Sequence, residues 1–278
     1  MVSVFAGVAV APANAAPQQA DALDALDAIG LLQPADIEGI AASGVLSKEG
    51  GLTVSSDGVG VSIRPVTAAD PVLGPDKSTL TYAEASSHAF VLTGQGSAAN
   101  AGYIVINDES APDSYSFDIS ADGAAADLEL VDGMVMIKDE SGALVNGILR
   151  PWAVDADGVE LPTWYSVEGT TLVQHVDTTG AAFPVVADPR LMCDLLFCTV
   201  EYTRSETTTI RNWGASATSL VSIACTWLAT PLGGALCGLA SATIIGTANE
   251  ALSQGKCLGF RKFNYATVMF PVVVSCYA

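Results

Sequence analysis

One kind of turn signal punctuates much of this 278-residue chain: an acidic or hydroxyl-bearing residue followed by glycine. From residue 122 onward these dipeptides recur about every ten residues, with strand-like runs between them. Such spacing is typical of short antiparallel strands joined by tight turns. We therefore expect residues 51–189 to form an acidic β-rich domain, a β-meander folded into a sandwich or an open barrel. The dipeptides include Asp57-Gly58, Asp122-Gly123, Asp132-Gly133, Ser141-Gly142, Asp157-Gly158, Glu168-Gly169 and Thr179-Gly180.

The composition changes abruptly near residue 189. Residues 1–189 carry 26 acidic and 5 basic side chains, whereas residues 190–278 carry 4 acidic and 6 basic ones. Cysteine is confined to the second part, at Cys193, Cys198, Cys225, Cys237, Cys257 and Cys276. Two compositional changes at one place indicate a domain boundary, so we expect a separate module over residues 190–278. The net charge of −19 opposes binding to a phosphate backbone, and no nucleic-acid partner is expected.

Residues 1–15 have features of a secretory signal peptide. An apolar run over residues 2–10 is followed by Pro12 and by the small residues Ala13-Asn14-Ala15, which suit signal peptidase. The run is too short to span a bilayer. No Lys or Arg precedes it, so we expect the true translation start to lie further upstream. The alternative is a buried N-terminal strand, but the small residues favour a secreted, extracellular protein.

The even number of cysteines favours disulfides in an exported chain. Both histidines, His88 and His175, lie outside the cysteine-bearing part, so a zinc site is not expected. Six cysteines permit many connectivities, and among them we favour pairing between nearest neighbours. The predicted bonds are Cys193–Cys198, Cys225–Cys237 and Cys257–Cys276.

Residues 16–50 show helical rather than strand-like spacing. Apolar residues recur from Leu23 to Ile40 with aspartates on the intervening face, and Gly30 and Pro34 interrupt the pattern. This segment is predicted to form one or two short amphipathic helices.

The C-terminal module contains a long uncharged stretch. The 38 residues from Asn212 to Asn249 include no Lys, Arg, Asp, Glu or His. Pro231 and neighbouring glycines divide them into halves, 213–230 and 232–252, which predict an α-hairpin. Small residues four apart in the second half would form a flat helix face, which occurs in membrane helix pairs and also suits a tight soluble hairpin. We favour the soluble hairpin, and the residues of this face are Gly234, Gly238, Ala242 and Gly246.

Residues 257–263 and 267–276 are predicted to pair as a terminal β-hairpin, in which Pro271 requires an edge strand. A small basic cluster accompanies the first of these strands: Lys256, Arg261 and Lys262. Beside an apolar hairpin, such a cluster suits anionic lipid headgroups, so membrane contact through residues 212–262 is one interpretation. The simpler interpretation is that these three cations belong to an ordinary solvated surface.

Four stretches resemble those of exported, mostly uncharacterised actinobacterial proteins. They are Phe-Pro-Val-Val-Ala-Asp-Pro at residues 183–189, the runs 111–117 and 151–158, and Tyr-Thr-Arg-Ser-Glu-Thr at residues 202–207. Similar β-rich segments that end in Pro-Val-x-x-Asp-Pro precede the repeat region of large secreted proteins associated with the cell wall or with toxin delivery. The resemblance implies an exported β-rich domain with a small cysteine-containing C-terminal module. It implies no catalytic residue.

Catalytic motifs of serine hydrolases, zinc proteases and P-loop proteins do not occur. His175 lies beside Asp177, but without an evident nucleophile a structural histidine is favoured. The carboxylates of Asp155 and Asp157 fit a hairpin turn. A calcium-loop spacing joins Asp118, Ser120, Asp122 and Glu129, although its strand-like flanks favour an ordinary turn. We expect no cofactor.

Together these patterns predict an α+β protein: a β-meander or sandwich domain followed by a small disulfide-rich module with an α-hairpin and a β-hairpin. The leading functional hypothesis is a secreted, non-enzymatic interaction or structural protein whose partner is an extracellular protein or a cell-surface component. A second hypothesis is a bacteriocin-like antagonist whose C-terminal module acts on membranes. A third is an extracellular hydrolase with noncontiguous carboxylates.

Overall fold

The computed structural model describes residues 15–32, 43–56, 58–84, 86–97, 99–194, 196–213, 241–263 and 269–276. Strands dominate and helices are few, which agrees with the predicted α+β class. The helices are α1 (Ala15–Ala28), α2 (Arg204–Trp213) and α3 (Ser241–Ser253). The strands are β1 (Val45–Ser47), β2 (Gly51–Ser56), β3 (Val59–Pro65), β4 (Val72–Leu73), β5 (Thr79–Glu84), β6 (His88–Thr93), β7 (Ala101–Ile106), β8 (Ser114–Ala121), β9 (Ala124–Ala125), β10 (Asp127–Val131), β11 (Met134–Lys138), β12 (Leu144–Ile148), β13 (Ala153–Val154), β14 (Thr163–Glu168), β15 (Thr171–Val176), β16 (Val185–Ala187), β17 (Phe197–Glu201), β18 (Cys257–Phe263) and β19 (Met269–Val274).

Two antiparallel sheets form a sandwich. The first sheet has the order β1-β2-β3-β8-β15-β14, with β9 on β8, and the second has the order β13-β16-β7-β6-β5-β4. Their facing sides share one hydrophobic core, in which Phe117 of the first sheet meets Phe90 of the second edge to face at 5.4 Å. Along β8, buried residues alternate strictly with outward ones, because only one side of the first sheet faces this core. The chain is not a simple meander, since β8 pairs with both β3 and β15.

Helix α1 covers the other side of the second sheet. Ala22 and Leu26 of α1 are fully buried in a cluster with Val91, Tyr103 and Val105. Because β6 and β7 are buried on both sides, they consist of almost continuous apolar runs. The predicted helical segment over residues 16–50 thus contains α1, but it ends in the unpredicted strand β1, which pairs with β2.

A third sheet, β10-β11-β12, lies between the sandwich and the C-terminal module. Val135 and Ile137 of β11 belong to the sandwich core, whereas the alternating Met134 and Met136 belong to a second core with residues of the module. This sheet, which we call the shared wall, therefore packs against both parts of the chain. The change in composition at residue 189 is not a break in packing.

The C-terminal module combines the sheet β17-β18-β19 with α2 and α3. The predicted terminal hairpin is present as β18 and β19, and Pro271 lies in the edge strand β19. Strand β17, which the sequence did not predict, adds a third strand on β18. Ile210 of α2 and Ile244 and Ala248 of α3 are buried together under this sheet. Of the predicted α-hairpin, residues 214–240 lie outside the described residues.

Two of the three predicted disulfides are formed in the described part of the chain. The Cys193–Cys198 bond has an S–S distance of 2.03 Å, and the Cys257–Cys276 bond has one of 2.08 Å. Cys225 and Cys237 lie outside the described residues, as do residues 1–14 of the predicted signal peptide. Disulfides form and persist in oxidising compartments outside the cytosol. Among the helices described, none has both the length and the apolar character that a bilayer crossing requires.

Candidate functional site

The outward side of the first sheet is a broad polar surface, which we call the outer face. Strand alternation places every second residue of β2, β3, β8, β15 and β14 on this side. The register aligns these residues in rows across the sheet, and most of their side chains are half-buried or exposed. Val173, which lies between Ser166 and Ser116, is buried. The polar and aromatic members are Thr53, Ser55, Ser62, Arg64, Ser114, Ser116, Asp118, Ser120, Trp164, Ser166, Glu168, Thr171 and His175. Hydroxyl groups outnumber charges on this surface.

An exposed tryptophan stands at the edge of the outer face. The indole of Trp164 stacks on the imidazole of His175 with ring centroids 5.2 Å apart and an angle of 12° between the planes. Trp164 is 53% exposed, and β14 is the edge strand of the first sheet. The imidazole is held in turn, because the hydroxyl of Ser166 lies 2.8 Å from its Nε2. The stack therefore presents a fixed aromatic surface to solvent.

Hydrogen bonds between neighbouring strands, within single rows, fix other polar groups of the outer face. Asp118 accepts a hydrogen bond from Thr171 at 3.1 Å and forms an ion pair with Arg64 at 3.5 Å. Thr53 and Ser62 share a hydrogen bond of 2.8 Å between their hydroxyls. Both members of the ion pair are exposed, so it stabilises the fold little, but it cancels the charge at the middle of the surface.

No protein-family model, curated protein or solved structure matches this chain. Its function must be inferred from its own residues.

The residues with calcium-loop spacing, for which the sequence favours an ordinary turn, do not converge in the structure. Asp118 and Ser120 share the outer face, whereas Glu129 lies on β10 in the shared wall and pairs with Lys138 at 2.5 Å. Asp122 accepts a hydrogen bond from the Gly60 amide at 2.6 Å in the turn after β8. In the described ranges, no group of three or more His, Cys, Asp or Glu residues is arranged to hold a metal ion.

A serine and a histidine do meet on the outer face, at Ser166 and His175. The expected neighbour Asp177 instead accepts hydrogen bonds from Thr179, which lower the pKa of its carboxyl. Successive N–H groups of a strand point in opposite directions, so β14 offers no converging pair of donors for an oxyanion beside Ser166. The contact between Ser166 and His175 thus fixes the orientation of the imidazole ring.

Asp155 has the structural role expected of it in a turn. Its carboxylate accepts hydrogen bonds from the amides of Ala182 at 3.1 Å, Val159 at 2.8 Å and Asp157 at 3.0 Å. These backbone donors, Ala182 first, lower the pKa of Asp155. The Asp155 carboxylate is thus occupied by the turn itself.

The proposed membrane face is described only in part. Ala242 and Gly246 are exposed on α3, and a Cβ atom at Gly246 would meet no atom within 4 Å among those described. Gly234 and Gly238 lie outside the described residues. Among the basic residues, Arg261 packs over the ring of Phe197 at 5.1 Å and donates a hydrogen bond to Thr199.

Lys256, Arg261 and Lys262 do not share one surface. Arg261 and Lys262 are successive residues of β18, so their side chains point to opposite sides of the strand, and Lys256 precedes the strand. The structure therefore divides the basic cluster that the sequence suggested.

Sequence reasoning missed Trp164 and Ser166 as candidate site residues. A signal was present: the two-residue turn Gly169-Thr170 sets the register of the β14–β15 hairpin and places Trp164 opposite His175. An exposed aromatic side chain on a strand is a stronger indication of a ligand-binding surface than an isolated exposed aliphatic side chain.

Proposed function

We propose that this chain is an exported, non-catalytic protein that binds a neutral polysaccharide through the outer face. The observation that carries the proposal is the stack of Trp164 on His175, which supports an exposed indole at the edge of the first sheet. Sugar rings present partly positive C–H groups, which pack against the negative face of an aromatic ring. An indole already fixed by its neighbours loses little conformational entropy when a sugar ring docks.

Rows of hydroxyls beside the indole suit an extended glycan chain. Outward residues on one strand lie about 6.6 Å apart and neighbouring strands about 4.8 Å apart, so the surface presents a regular grid of polar groups. Ser114 lies next to His175 in the row of Trp164, and Ser116 lies in the row of Ser166. These hydroxyls both donate and accept hydrogen bonds, as sugar hydroxyls do.

Charge favours a neutral ligand over an acidic one. The chain carries a net charge of −19, and the one cation of the outer face, Arg64, is paired with Asp118. A polyanionic glycan would therefore meet repulsion without a free cation on this surface to offset it.

The expected extracellular location supports the same proposal. The predicted signal sequence over residues 1–15 and the disulfides Cys193–Cys198 and Cys257–Cys276 favour an oxidising compartment, where such glycans are found.

The test is a depletion assay with the oxidised protein on insoluble cellulose, chitin and starch, with soluble alginate as an anionic competitor. We expect saturable binding to at least one neutral polymer without release of soluble sugar, and no competition by alginate. Trp164→Ala should weaken binding about tenfold or more, because an aromatic contact that anchors a ligand commonly contributes on the order of 2 kcal/mol.

Leu130→Ala is the matched control, since Leu130 is 46% exposed but lies on the shared wall. It should bind as the unmodified protein does. Equal binding by Trp164→Ala and the unmodified protein, or no binding to any neutral polymer, would overturn the proposal. Sugar release that disappears in Ser166→Ala would replace it with a hydrolase.

A further inference from the structure

A buried aspartate precedes a proline at the junction between the two parts of the chain. Asp188 follows β16 directly, is 1% exposed, and forms a peptide bond with Pro189. The sequence contains a second Asp-Pro bond, Asp70–Pro71, but Asp70 is exposed. The same dipeptide thus occurs in two opposite environments.

Hydrogen bonds hold the Asp188–Pro189 bond from several sides. The Asp188 backbone carbonyl accepts a hydrogen bond from the hydroxyl of Tyr165 at 3.1 Å, and its carboxyl accepts one from the Trp152 amide at 3.2 Å. On the other side of the bond, the Gly102 amide donates to the Pro189 carbonyl at 2.8 Å. The bond is therefore held between Tyr165 of the first sheet and Gly102 of the second.

The Asp188 carboxyl retains its proton at neutral pH. Burial raises its pKa to about 8, against the opposing effects of the Trp152 amide and of Arg190. Arg190 is itself paired with Glu201 at 2.7 Å, and the charge of Glu201 also raises the pKa of Asp188. Burial also raises the pKa of Tyr103, which interacts electrostatically with Asp188, to about 12, so its phenol remains neutral.

We propose that the folded protein cleaves its own chain at the Asp188–Pro189 bond. The Oδ–H oxygen of the Asp188 side chain attacks the carbonyl carbon of the same residue, which closes a five-membered ring. A C–O bond forms, the C–N bond to Pro189 breaks, and the carboxyl proton moves to the proline nitrogen. The products are a cyclic anhydride at Asp188 and a new N-terminal Pro189. One water then hydrolyses the anhydride to free α- and β-carboxyls.

Each neighbouring group has a role in this step. The hydroxyl of Tyr165 donates to the oxygen that becomes negatively charged as the carbonyl is attacked, and it is a positioned donor for that charge. Proline can leave because its nitrogen accepts the carboxyl proton as the C–N bond breaks and departs as a neutral secondary amine. The buried acid supplies the proton at the reacting bond without a separate catalyst.

The two fragments would remain together after cleavage. The Leu149 amide donates to the Arg190 carbonyl at 2.9 Å, and the Met192 amide donates to the Gly147 carbonyl at 2.8 Å. The shared wall also buries side chains against both parts. Cleavage would therefore convert one chain into a noncovalent pair, an acidic β-rich fragment and a disulfide-bonded C-terminal fragment.

The test follows the intact oxidised protein, incubated at 37 °C and pH 5 to 9, by denaturing mass spectrometry. We expect two fragments whose masses sum to that of the chain plus one water, the second beginning Pro189-Arg190-Leu191. Cleavage should slow as the pH rises through about 8, where the carboxyl loses its proton. The Asp70–Pro71 bond is the internal control and should stay intact in the folded protein. In hot dilute acid, where the chain is unfolded, both bonds should break.

Three variants test the roles of the acid, the proline and the tyrosine in cleavage. Near-ultraviolet circular dichroism verifies that each variant is folded. Asp188→Ala should abolish the fragments, Pro189→Ala should reduce them strongly, and Tyr165→Phe should slow their formation about a hundredfold. The proposal would be overturned if the unmodified protein remained one uncleaved chain, or if the fragments still formed in Asp188→Ala. Equal cleavage at Asp70–Pro71 in the folded protein would also overturn it. So would an unchanged rate in a folded Tyr165→Phe protein.

Discussion

Arg150 and Glu206 join the β-rich domain to the C-terminal module through an ion pair of 2.9 Å between Nη1 and Oε1. Both side chains are about one-fifth exposed. Glu206 has a second role at the start of α2, where its Oε2 accepts a hydrogen bond from the Thr203 amide at 2.9 Å. The Thr203 hydroxyl accepts one in return from the Glu206 amide at 3.2 Å, which completes a capping box.

This double role predicts that Glu206→Ala destabilises the protein more than Thr203→Ala does. Thr203→Ala removes part of the cap at a cost of about 1 kcal/mol and leaves the ion pair to Arg150 intact. Glu206→Ala removes the other half of the cap, the bond from the Thr203 amide, together with the ion pair, at a cost of about 2 kcal/mol. Urea unfolding measures the two free energies, and equal losses would show that the contact with Arg150 contributes nothing to stability.

Local features of the fold could be predicted because local chemistry sets them. Glycines 123, 133 and 169, each in one of the predicted turns, adopt the positive φ that the turn signals imply. Hairpin pairing follows from such turns, as in β14 and β15.

Pairing between distant segments could not be predicted. β8 pairs with β3 across more than fifty residues, and no local pattern specifies that choice. The environment of Asp188 has the same origin, since Trp152 and Tyr165 reach it only through the assembled sheets. The Asp-Pro dipeptide was visible in the sequence, whereas the burial that distinguishes Asp188 from Asp70 depends on tertiary structure.

The two disulfides should contribute unequally to stability. Cys257 and Cys276 are 19 residues apart, whereas Cys193 and Cys198 are 5 apart. Because a cross-link restricts the unfolded chain more when it closes a longer loop, replacing the first pair by serines should cost about 3 kcal/mol and the second about 2 kcal/mol. Urea unfolding of the two double variants gives the order, and a larger loss for the shorter loop would contradict it.

Asn146 connects the shared wall to the start of the C-terminal module. It is 2% exposed, and its Oδ1 accepts hydrogen bonds from the amides of Gly147 at 2.7 Å and Cys193 at 3.0 Å. Asn146→Ala should cost about 1 to 3 kcal/mol, because it leaves buried donors without their acceptor. The control is Asn107→Ala, whose amide makes an exposed hydrogen bond to the Ser86 carbonyl and should change stability by less than about 0.5 kcal/mol. Similar losses in urea unfolding for both variants would refute this role.

Asp188 should make the stability of the intact protein fall as the pH rises. Its pKa is about 8 in the folded protein and near 3.8 in the unfolded chain, so between these values the unfolded state binds fewer protons. Stabilisation by the neutral carboxyl is complete below about pH 4 and is lost as the pH approaches 8.

Asp188→Asn removes this titration while keeping the shape of the side chain. The free energy of unfolding of the unmodified protein minus that of the variant should therefore decrease by several kcal/mol across this range. Urea unfolding at pH 4, 6 and 8, with chain integrity verified by mass, measures the difference. A difference that is constant or increases with pH would mean that Asp188 is ionised in the fold, and self-cleavage through its neutral acid would lose its proton source.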